Sequence, residues 1–371
     1  MKTATLMIKP SSSLCNLRCT YCFYHELAAR REVASYGVMQ DDVLEALVRR
    51  VMGEVTEEVH FVFQGGEPLV AGLPFFERFE DLTAQLAPRS LRVMRSIQTN
   101  GTLIDEAWAA FFAKHRYLVG VSLDGPAALH NDVRPTAAGK GSFSGVMAGI
   151  RRLRQANVEF NILTVVTRDV ALHGARVFSF LRKNGFDYLQ FIPCMDEPGA
   201  PKAAFSLDER SYGRFLIDTF ALYERELLEG RRVSVRFFDN LIGMLAGYPP
   251  ESCGMSGCCA CHLVVEADGG VYPCDFYVTD AYRLGSVQES GLEEMVLSDT
   301  ATRFIEESTP VDPACRICPY APICRGGGCR RYREPFVGGK PGKPALCGAY
   351  RMFFGECLGR MQALARRFVR R

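Results

Sequence analysis

The stretch that decides the fold is Thr5-Leu6-Met7-Ile8-Lys9, followed by the loop Cys15-Asn16-Leu17-Arg18-Cys19-Thr20-Tyr21-Cys22. The first five residues predict a short apolar strand, and the three cysteines follow it on one loop. Three thiolates can hold three irons of a 4Fe-4S cubane, and no fourth cysteine lies nearby, so one iron would stay open to a small molecule. Structural zinc is the alternative, but zinc takes four ligands and this loop supplies three.

Outward from this loop, short apolar strands alternate with amphipathic helices through the first half of the chain. The predicted strands are Thr5 to Lys9, Val59 to Gln64, Leu91 to Gln98, Tyr117 to Leu123, Val158 to Val166 and Tyr188 to Ile192. The predicted helices are Asp41 to Gly53, Ser142 to Ala156, Leu172 to Asn184 and about Leu207 to Gly230. Six such units predict an α/β fold with a parallel sheet, either open or curled into a partial barrel.

After Tyr248-Pro249-Pro250 the composition changes, because most of the 15 cysteines lie beyond this point. One group follows the pattern Cys315-x2-Cys318-x5-Cys324-x4-Cys329, with Cys347 further on. A second group precedes it and comprises Cys253, Cys258, Cys259, Cys261 and Cys274. An odd, high cysteine count in a chain of 371 residues favours metal-bound thiolates over disulfides, and the two groups suffice for two sites of four ligands. A zinc ribbon is the competing interpretation.

The bulk composition excludes several classes of protein. Apolar residues make up 48% of the chain and charged residues 23%, with a net charge of +2, which is typical of a globular protein and gives no field suited to nucleic acid. The amino-terminal residues show no signal-peptide pattern, and no apolar run approaches membrane-spanning length. We therefore expect a cytoplasmic protein that binds neither nucleic acid nor membrane.

The cysteine loop, together with Gly65-Gly66-Glu67-Pro68 directly after the second strand, resembles the radical S-adenosylmethionine superfamily. This resemblance implies a partial (β/α)6 TIM-like barrel over residues 1–235, with S-adenosylmethionine on the open iron. Gly66 would let the backbone approach the cofactor, and main-chain carbonyls or Glu67 would accept hydrogen bonds from its ammonium group.

The other cofactor contacts that we predict lie beside the loop or at strand ends. Tyr21 precedes the last cysteine of the loop. Ser122 and Asp124 end the fourth strand, where both suit ribose hydroxyls. Arg134 would clamp the methionine carboxylate, and Met195, just past the sixth strand, would contact the adenosyl group.

The later cysteines resemble the SPASM extension of radical enzymes, which implies a cysteine-rich domain over residues 236–371 with two auxiliary 4Fe-4S clusters and a C-terminal helix. In the arrangement of that family, one cluster would be held by Cys253, Cys259, Cys274 and Cys329. The other would be held by Cys315, Cys318, Cys324 and Cys347. Cys258 and Cys261 compete for the place of Cys259. The interval before Cys329 is one residue longer than the family pattern, and the three glycines within it could absorb the extra residue.

Nearly the whole chain is similar to the anaerobic sulfatase-maturating enzymes. The segments that carry this similarity are Ile8 to Ser12, Cys19 to His25, Phe63 to Pro68, Gln98 to Asp105 and Val271 to Tyr277. The resemblance implies oxidation of a sulfatase cysteine or serine, within a Cys/Ser-x-Pro-x-Arg motif, to Cα-formylglycine. It also implies three 4Fe-4S clusters and S-adenosylmethionine as cofactors, an electron donor such as flavodoxin or ferredoxin, and a monomeric enzyme.

In this mechanism a substrate radical is easily oxidised only after its SH or OH group loses a proton, so a base is required. Asp275 matches the catalytic aspartate of the family, and Tyr24 and Gln64 would orient the target side chain. The alternatives are a radical maturase of ribosomally made peptides, for whose usual extra domain the chain leaves no room before Cys15, and a non-enzymatic zinc or iron-sulfur interaction module. The sequence leaves open whether cysteine or serine is the preferred target.

Overall fold

The computed structural model describes residues 1–196, 201–333 and 342–369, with side chains described as far as residue 367. These residues form two compact units, which are treated separately below. Unit one comprises Met1–Ser122, Arg134–Phe160 and Ala260–Ile305, and unit two comprises Leu123–Val133, Asn161–Cys259 and Glu306–Arg371. The boundary predicted between residues 235 and 236 stays a prediction.

The described residues form ten strands, and the six predicted strands are all among them, each within two residues of its predicted ends. The strands are β1 (Thr3–Ile8), β2 (Glu58–Phe63), β3 (Arg92–Thr99), β4 (Leu118–Ser122), β5 (Phe160–Val166), β6 (Tyr188–Pro193), β7 (Ser234–Val235), β8 (Leu263–Val265), β9 (Gly270–Tyr272) and β10 (Gly285–Ser286).

The α-helices of the described residues connect these strands and end the chain. They are α1 (Phe23–Ala29), α2 (Asp41–Glu54), α3 (Leu73–Leu86), α4 (Glu106–His115), α5 (Ala127–Val133), α6 (Phe143–Gln155), α7 (Arg168–Leu172), α8 (Gly174–Lys183), α9 (Glu209–Leu228), α10 (Arg236–Leu245), α11 (Leu292–Val296), α12 (Asp299–Glu306), α13 (Pro313–Arg316), α14 (Ala321–Cys324) and α15 (Cys347–Val369).

Unit one contains a sheet in the order β10-β9-β8-β1-β2-β3-β4. Strands β1 to β4 are parallel, and β8 also runs parallel to β1. Their carboxyl ends therefore lie along one edge of the sheet. The residues that directly follow β1, β2, β3 and β8 are polar, and they are Lys9, Gln64, Asn100 and Glu266. This edge is where ligands bind in such sheets.

The helices of unit one bury the faces that the sequence pattern predicts. In α2 the apolar residues on one face are buried, as expected for a helical period of 3.6 residues. They are Val43, Leu44, Leu47, Val48 and Val51. The start of α4 is capped by Asp105, whose carboxylate accepts a hydrogen bond from Trp108 N at 2.9 Å. These elements hold the polar sheet edge in place.

Unit two contains the parallel strands β5, β6 and β7 and a helical layer built on α9 and α15. The Phe220 ring lies 5.8 Å from that of Phe353 and 5.3 Å from that of Phe238. The helix predicted from Leu172 to Asn184 corresponds to α8, which runs from Gly174 to Lys183, and the short helix α7 before it was not predicted. Thr167 caps α7 by accepting a hydrogen bond from Val170 N, so this short helix has its own start.

Within the described parts of the chain, no helix combines the length and the apolar character that crossing a membrane requires.

Candidate active site

The cysteine loop connects β1 to α1 and is fixed by main-chain hydrogen bonds. Glu67 N donates to Leu14 O at 2.8 Å, Arg18 N donates to Pro135 O at 2.8 Å, and Cys22 N donates to Cys19 O at 3.2 Å. Cys22 immediately precedes the first turn of α1. The backbone that carries all three cysteines is therefore fixed by the turn Gly65-Gly66-Glu67-Pro68 and by the segment after α5.

The sulfur atoms of this loop face hydrogen-bond donors. Cys15 Sγ accepts from Leu17 N at 3.4 Å and from Asn100 Nδ2 at 4.0 Å, and Cys19 Sγ accepts from Arg134 Nη1 at 4.0 Å. Burial raises the pKa of the Cys15 and Cys22 thiols, and these donors together with the charge of Arg134 oppose the rise. Such donors stabilise thiolates, so the loop fits the three cysteine ligands of a 4Fe-4S cluster.

The turn after β2 requires glycine at a position where two loops meet. Gly66 has a φ of 55°, and a Cβ there would lie 2.3 Å from Leu14 O on the cysteine loop. Any other residue would push the two loops apart. The backbone at Gly66 therefore makes a close approach, as predicted, and the group that it approaches is the cysteine loop.

Glu67 holds this turn to the end of β3. The carboxylate is 1% exposed and accepts hydrogen bonds from Thr99 Oγ1 at 2.7 Å, Asn100 N at 2.7 Å and Leu69 N at 3.1 Å. Burial raises its pKa to about 7 despite these donors. Both carboxylate oxygens of Glu67 therefore already accept hydrogen bonds from the protein. The structure adds no support to the prediction that Glu67 binds the ammonium group of the cofactor.

Three predicted residues from distant parts of the sequence meet at the same sheet edge. Tyr24 Oη donates to Asp275 Oδ2 at 2.6 Å, and Gln64 Nε2 donates to the same oxygen at 3.0 Å and to Tyr24 Oη at 2.9 Å. Asp275 is 8% exposed, and its other oxygen, Oδ1, is buried without a hydrogen-bond partner among the described residues. The carboxylate is thus fixed through one oxygen and keeps the other for a further donor.

A buried set of charges lies beside this trio, and sequence reasoning missed it. Glu266 Oε2 lies 2.6 Å from Arg31 Nη1 and 3.7 Å from Lys9 Nζ, and Lys9 Nζ lies 4.6 Å from the centre of the Tyr24 ring. Burial raises the pKa of Asp275, and the positive charge of Lys9 opposes that rise. The signal available in the sequence was a lysine directly after a buried strand, where a charge must find a partner.

Only some of the residues that are predicted to contact the cofactor lie close together within one unit. Within unit one the Arg134 guanidinium lies 5.3 Å from the centre of the Tyr21 ring, close to Cys19, and Arg134 is 7% exposed. Ser122 is the last residue of β4 in the same unit, and Met195 follows β6 in unit two. Asp124 is fully buried and accepts a hydrogen bond from Val165 N at 2.9 Å, so its carboxylate holds β5.

Four of the C-terminal cysteines share one cavity in unit two. Cys315, Cys318, Cys324 and Cys347 line an open space of about 320 Å³, together with Tyr350 and Arg351. Burial, together with the charges of the other three cysteines, raises the pKa of the Cys324 thiol to about 11, as expected for thiols that face one another. Among the described residues, no three such side chains converge on a single-ion position of the kind that zinc needs.

A second set of cysteines also lies in unit two. Burial raises the pKa of Cys329 to about 12, and the neighbouring Cys259 and Cys253 raise it too, whereas burial alone raises the pKa of Cys261 to about 11. Cys258 is exposed. Cys259 is therefore the one of the three competing cysteines that faces both Cys253 and Cys329. Cys274 lies in unit one.

The three glycines before Cys329 allow a close crossing of two chain segments. Gly326, Gly327 and Gly328 have φ values of 69°, 81° and 74°, and a Cβ on Gly328 would lie 1.9 Å from Gly254 O. Only glycine permits this left-handed path at such a distance. The extra residue of the interval is accommodated here, and Cys329 reaches the turn that carries Cys253.

Comparisons with known proteins agree with this geometry. Residues 10–174 match the model of the Radical SAM superfamily, and residues 257–319 match SPASM, an iron-sulfur cluster-binding domain. The chain is 41% identical to the cysteine-type anaerobic sulfatase-maturating enzyme of Clostridium novyi, over 99% of this chain and 98% of that protein. It is 33% identical to the serine-type enzyme of Klebsiella aerogenes, over 97% and 87%.

A solved structure, native anSMEcpe with bound AdoMet and Cp18Cys peptide, superposes with a TM-score of 0.93 at 41% identity and covers 99% of both chains. The expected α/β fold with a cysteine-rich, cluster-binding C-terminal region is confirmed by these matches. The chain therefore belongs to the anaerobic sulfatase-maturating enzymes, a family of radical S-adenosylmethionine enzymes that form formylglycine.

Proposed function

We propose that this enzyme oxidises a cysteine of a sulfatase, within a Cys-x-Pro-x-Arg motif, and that Asp275 is the base of the reaction. The observation that carries the proposal is the hydrogen-bonded trio of Tyr24, Gln64 and Asp275, which leaves Asp275 Oδ1 buried and without a partner among the described residues. A 4Fe-4S cluster on Cys15, Cys19 and Cys22, with S-adenosylmethionine bound, would supply the radical that removes a hydrogen atom from the substrate β-carbon.

The protein groups around Asp275 would then direct the proton. Tyr24 and Gln64 donate to Oδ2 and so aim Oδ1 at the substrate, where it takes the proton of the SH group. The charge of Lys9 favours the ionised carboxylate, because it opposes the effect of burial. Burial of the trio also keeps water from competing for the carboxylate.

A cysteine target is favoured over serine by the degree of similarity. The chain is 41 to 43% identical to cysteine-type relatives and 31 to 33% identical to serine-type relatives over nearly its whole length. A thiol, with an ordinary pKa of about 8.5, also gives up its proton to a carboxylate more readily than an alcohol does. The solved relative in complex with AdoMet and Cp18Cys peptide is consistent with a peptide substrate for this chain.

The remaining residue assignments belong to the same proposal. Tyr21, Gly66, Ser122, Arg134 and Met195 would contact S-adenosylmethionine. The first auxiliary cluster would be held by Cys253, Cys259, Cys274 and Cys329. The second would be held by Cys315, Cys318, Cys324 and Cys347. The enzyme would act as a monomer in the cytoplasm and would receive electrons from a flavodoxin or a ferredoxin.

The test uses anaerobically reconstituted enzyme, S-adenosylmethionine, dithionite and a peptide that contains Cys-x-Pro-x-Arg or its serine counterpart. We expect aldehyde formation by mass spectrometry, with the cysteine peptide the better substrate. Asp275→Asn should still release 5′-deoxyadenosine but lose at least about 100-fold in aldehyde. Asp268→Asn, at the turn between β8 and β9, is the matched control and should behave as wild type. Undiminished aldehyde from Asp275→Asn contradicts the base assignment.

A further inference from the structure

The charge of this chain is distributed unevenly along its length. Residues 306–371 contain 13 lysines and arginines but only five aspartates and glutamates, a net charge of +8, although the whole chain carries only +2. The preceding 305 residues therefore carry a net charge of −6. A positive field of this size raises the local concentration of negatively charged partners at this part of the chain.

The most exposed large apolar side chain among the described residues lies within this positive segment. Ile317 is 87% exposed and sits between Cys315 and Cys318, just after the end of α13. Both cysteines are themselves partly exposed. Single exposed apolar residues are common on protein surfaces and do not by themselves indicate a binding site. This one stands at the tip of a loop whose two flanking thiols are proposed cluster ligands.

Exposed cations accompany this side chain in the same part of unit two. Arg316 is exposed next to Ile317, Arg351 is exposed and lines the cavity of the four cysteines, and Lys343 is exposed four residues before Cys347. None of these three cations forms an ion pair with another described residue. They are available to a partner.

The nearby carboxylates are engaged by the main chain. Asp312 accepts a hydrogen bond from Ala314 N at 2.8 Å, and Glu209 accepts one from Gly348 N at 2.5 Å. Each caps a helix start, and neither forms an ion pair with Arg316, Lys343 or Arg351 among the described residues.

We propose that the surface formed by Arg316, Ile317, Lys343 and Arg351 docks a small acidic protein that carries single electrons, such as a flavodoxin. This inference rests on the proposed function, because it needs a cluster on Cys315, Cys318, Cys324 and Cys347. In the transfer, the reduced carrier loses one electron and the cluster gains that electron, with no bond made or broken. Cleavage of S-adenosylmethionine takes up one electron and oxidation of the substrate radical releases one, so the enzyme needs such a carrier to supply the first electron and to replace any that are lost.

An acidic protein suits this surface better than a nucleic acid or a membrane. An exposed apolar side chain with cations nearby matches the usual anatomy of a protein interface, in which an apolar anchor lies inside a polar rim. A nucleic acid would leave Ile317 unused, and a membrane surface would require a larger apolar area. The position of the anchor between two partly exposed thiols also brings the carrier close to the redox centre.

The test compares Ile317→Glu and Arg316→Glu with Leu297→Glu, a matched control at a residue that is 71% exposed in unit one. Binding of a bacterial flavodoxin to each reconstituted enzyme is measured anaerobically by calorimetry at low and high salt. We expect Ile317→Glu to weaken binding about tenfold or more, Arg316→Glu to weaken it less, and Leu297→Glu to leave it unchanged. Added salt should weaken the wild-type complex. Iron content should be equal in all four proteins.

Peptide oxidation is measured in parallel, with reduced flavodoxin or with dithionite as the electron source. Ile317→Glu should be slow with flavodoxin and normal with dithionite, which needs no docking surface. Unchanged flavodoxin binding by Ile317→Glu, or an equal loss in Leu297→Glu, would overturn the docking surface. Salt-sensitive retention of the wild type on duplex DNA or anionic vesicles, without flavodoxin binding, would overturn it as well. Absence of aldehyde even with dithionite would instead overturn the proposed function, while flavodoxin binding would still report on the surface.

Discussion

The region around Asp275 and the region around Cys324 hold their chemistry in opposite ways. Asp275 lies among buried groups that are held by hydrogen bonds and ion pairs, with its Oδ1 unpartnered among the described residues, at the edge of a sheet with its own apolar core. Cys324 ends a four-residue helix, and the elements around it are short turns rich in glycine and cysteine. Helices of one turn are not stable by themselves. The comparison indicates that the first region is held by protein contacts and that the second depends on metal.

The largest expected effect tests this difference directly. Anaerobic removal of iron with a chelator should unfold the C-terminal segment, because its ligands lose the metal that links them. Amides of residues 306–333 should lose at least about 1,000-fold of their protection in hydrogen exchange, whereas those of β1 to β4 should keep theirs. Equal protection of residues 306–333 with and without iron would contradict the conclusion that the second region depends on metal.

The second prediction concerns the buried charges of the first region. Glu266→Gln leaves Lys9 and Arg31 buried without their carboxylate, and we expect it to destabilise the enzyme by about 3 to 5 kcal/mol. Denaturant unfolding of the reconstituted protein measures this loss. Glu45→Gln is the control, because Glu45 pairs with Arg49 on the exposed face of α2 and its replacement should cause no measurable change.

The third prediction concerns the close crossing of chain segments in the second region. Gly328→Ala places a Cβ against Gly254 O, and we expect a cost of about 2 to 4 kcal/mol and a loss of iron equal to one cluster. Gly139→Ala is a matched control, because Gly139 has a similar φ of 73° but no heavy atom within 4 Å of the added Cβ. It should cost about 1 kcal/mol and leave the iron content unchanged. Equal effects of the two substitutions would show that the close crossing contributes neither to stability nor to cluster binding.

The smallest expected effect returns to the first region. Asn100→Ala removes the donor to Cys15 Sγ and the 2.8 Å hydrogen bond to Asn16 Oδ1 on the same loop. Fewer donors to a cluster thiolate make reduction harder, so 5′-deoxyadenosine release should slow by about tenfold and the midpoint potential of this cluster should become more negative. Redox titration followed by electron paramagnetic resonance measures the potential. Asn184→Ala, which removes a side-chain hydrogen bond to Phe180 O at the end of α8 in unit two, is the control.

Most of the fold was predictable, because it depends on local patterns. The strands from β1 to β6 follow apolar runs, and α2 follows a period of 3.6 residues, so both were found from the sequence. The short helix α7 was missed, because its five residues are too few to show a helical period. Among site residues, Tyr24, Gln64 and Asp275 were identified by their place in family motifs, and the structure brings them within hydrogen-bonding distance.

The sequence alone determined which chemistry is available: three cysteines on one loop, two later groups of cysteines, and the motifs of a radical enzyme. Only the tertiary structure decided which polar groups meet. Glu266 lies beside Lys9 because β8 pairs with β1 across more than 250 residues of sequence, and Cys259 rather than Cys258 or Cys261 faces Cys329. Local spacing specifies strands, helices and metal-binding loops, since these depend on neighbouring residues. Which distant side chains share a buried site depends on strand pairing and chain crossing, which no local pattern encodes.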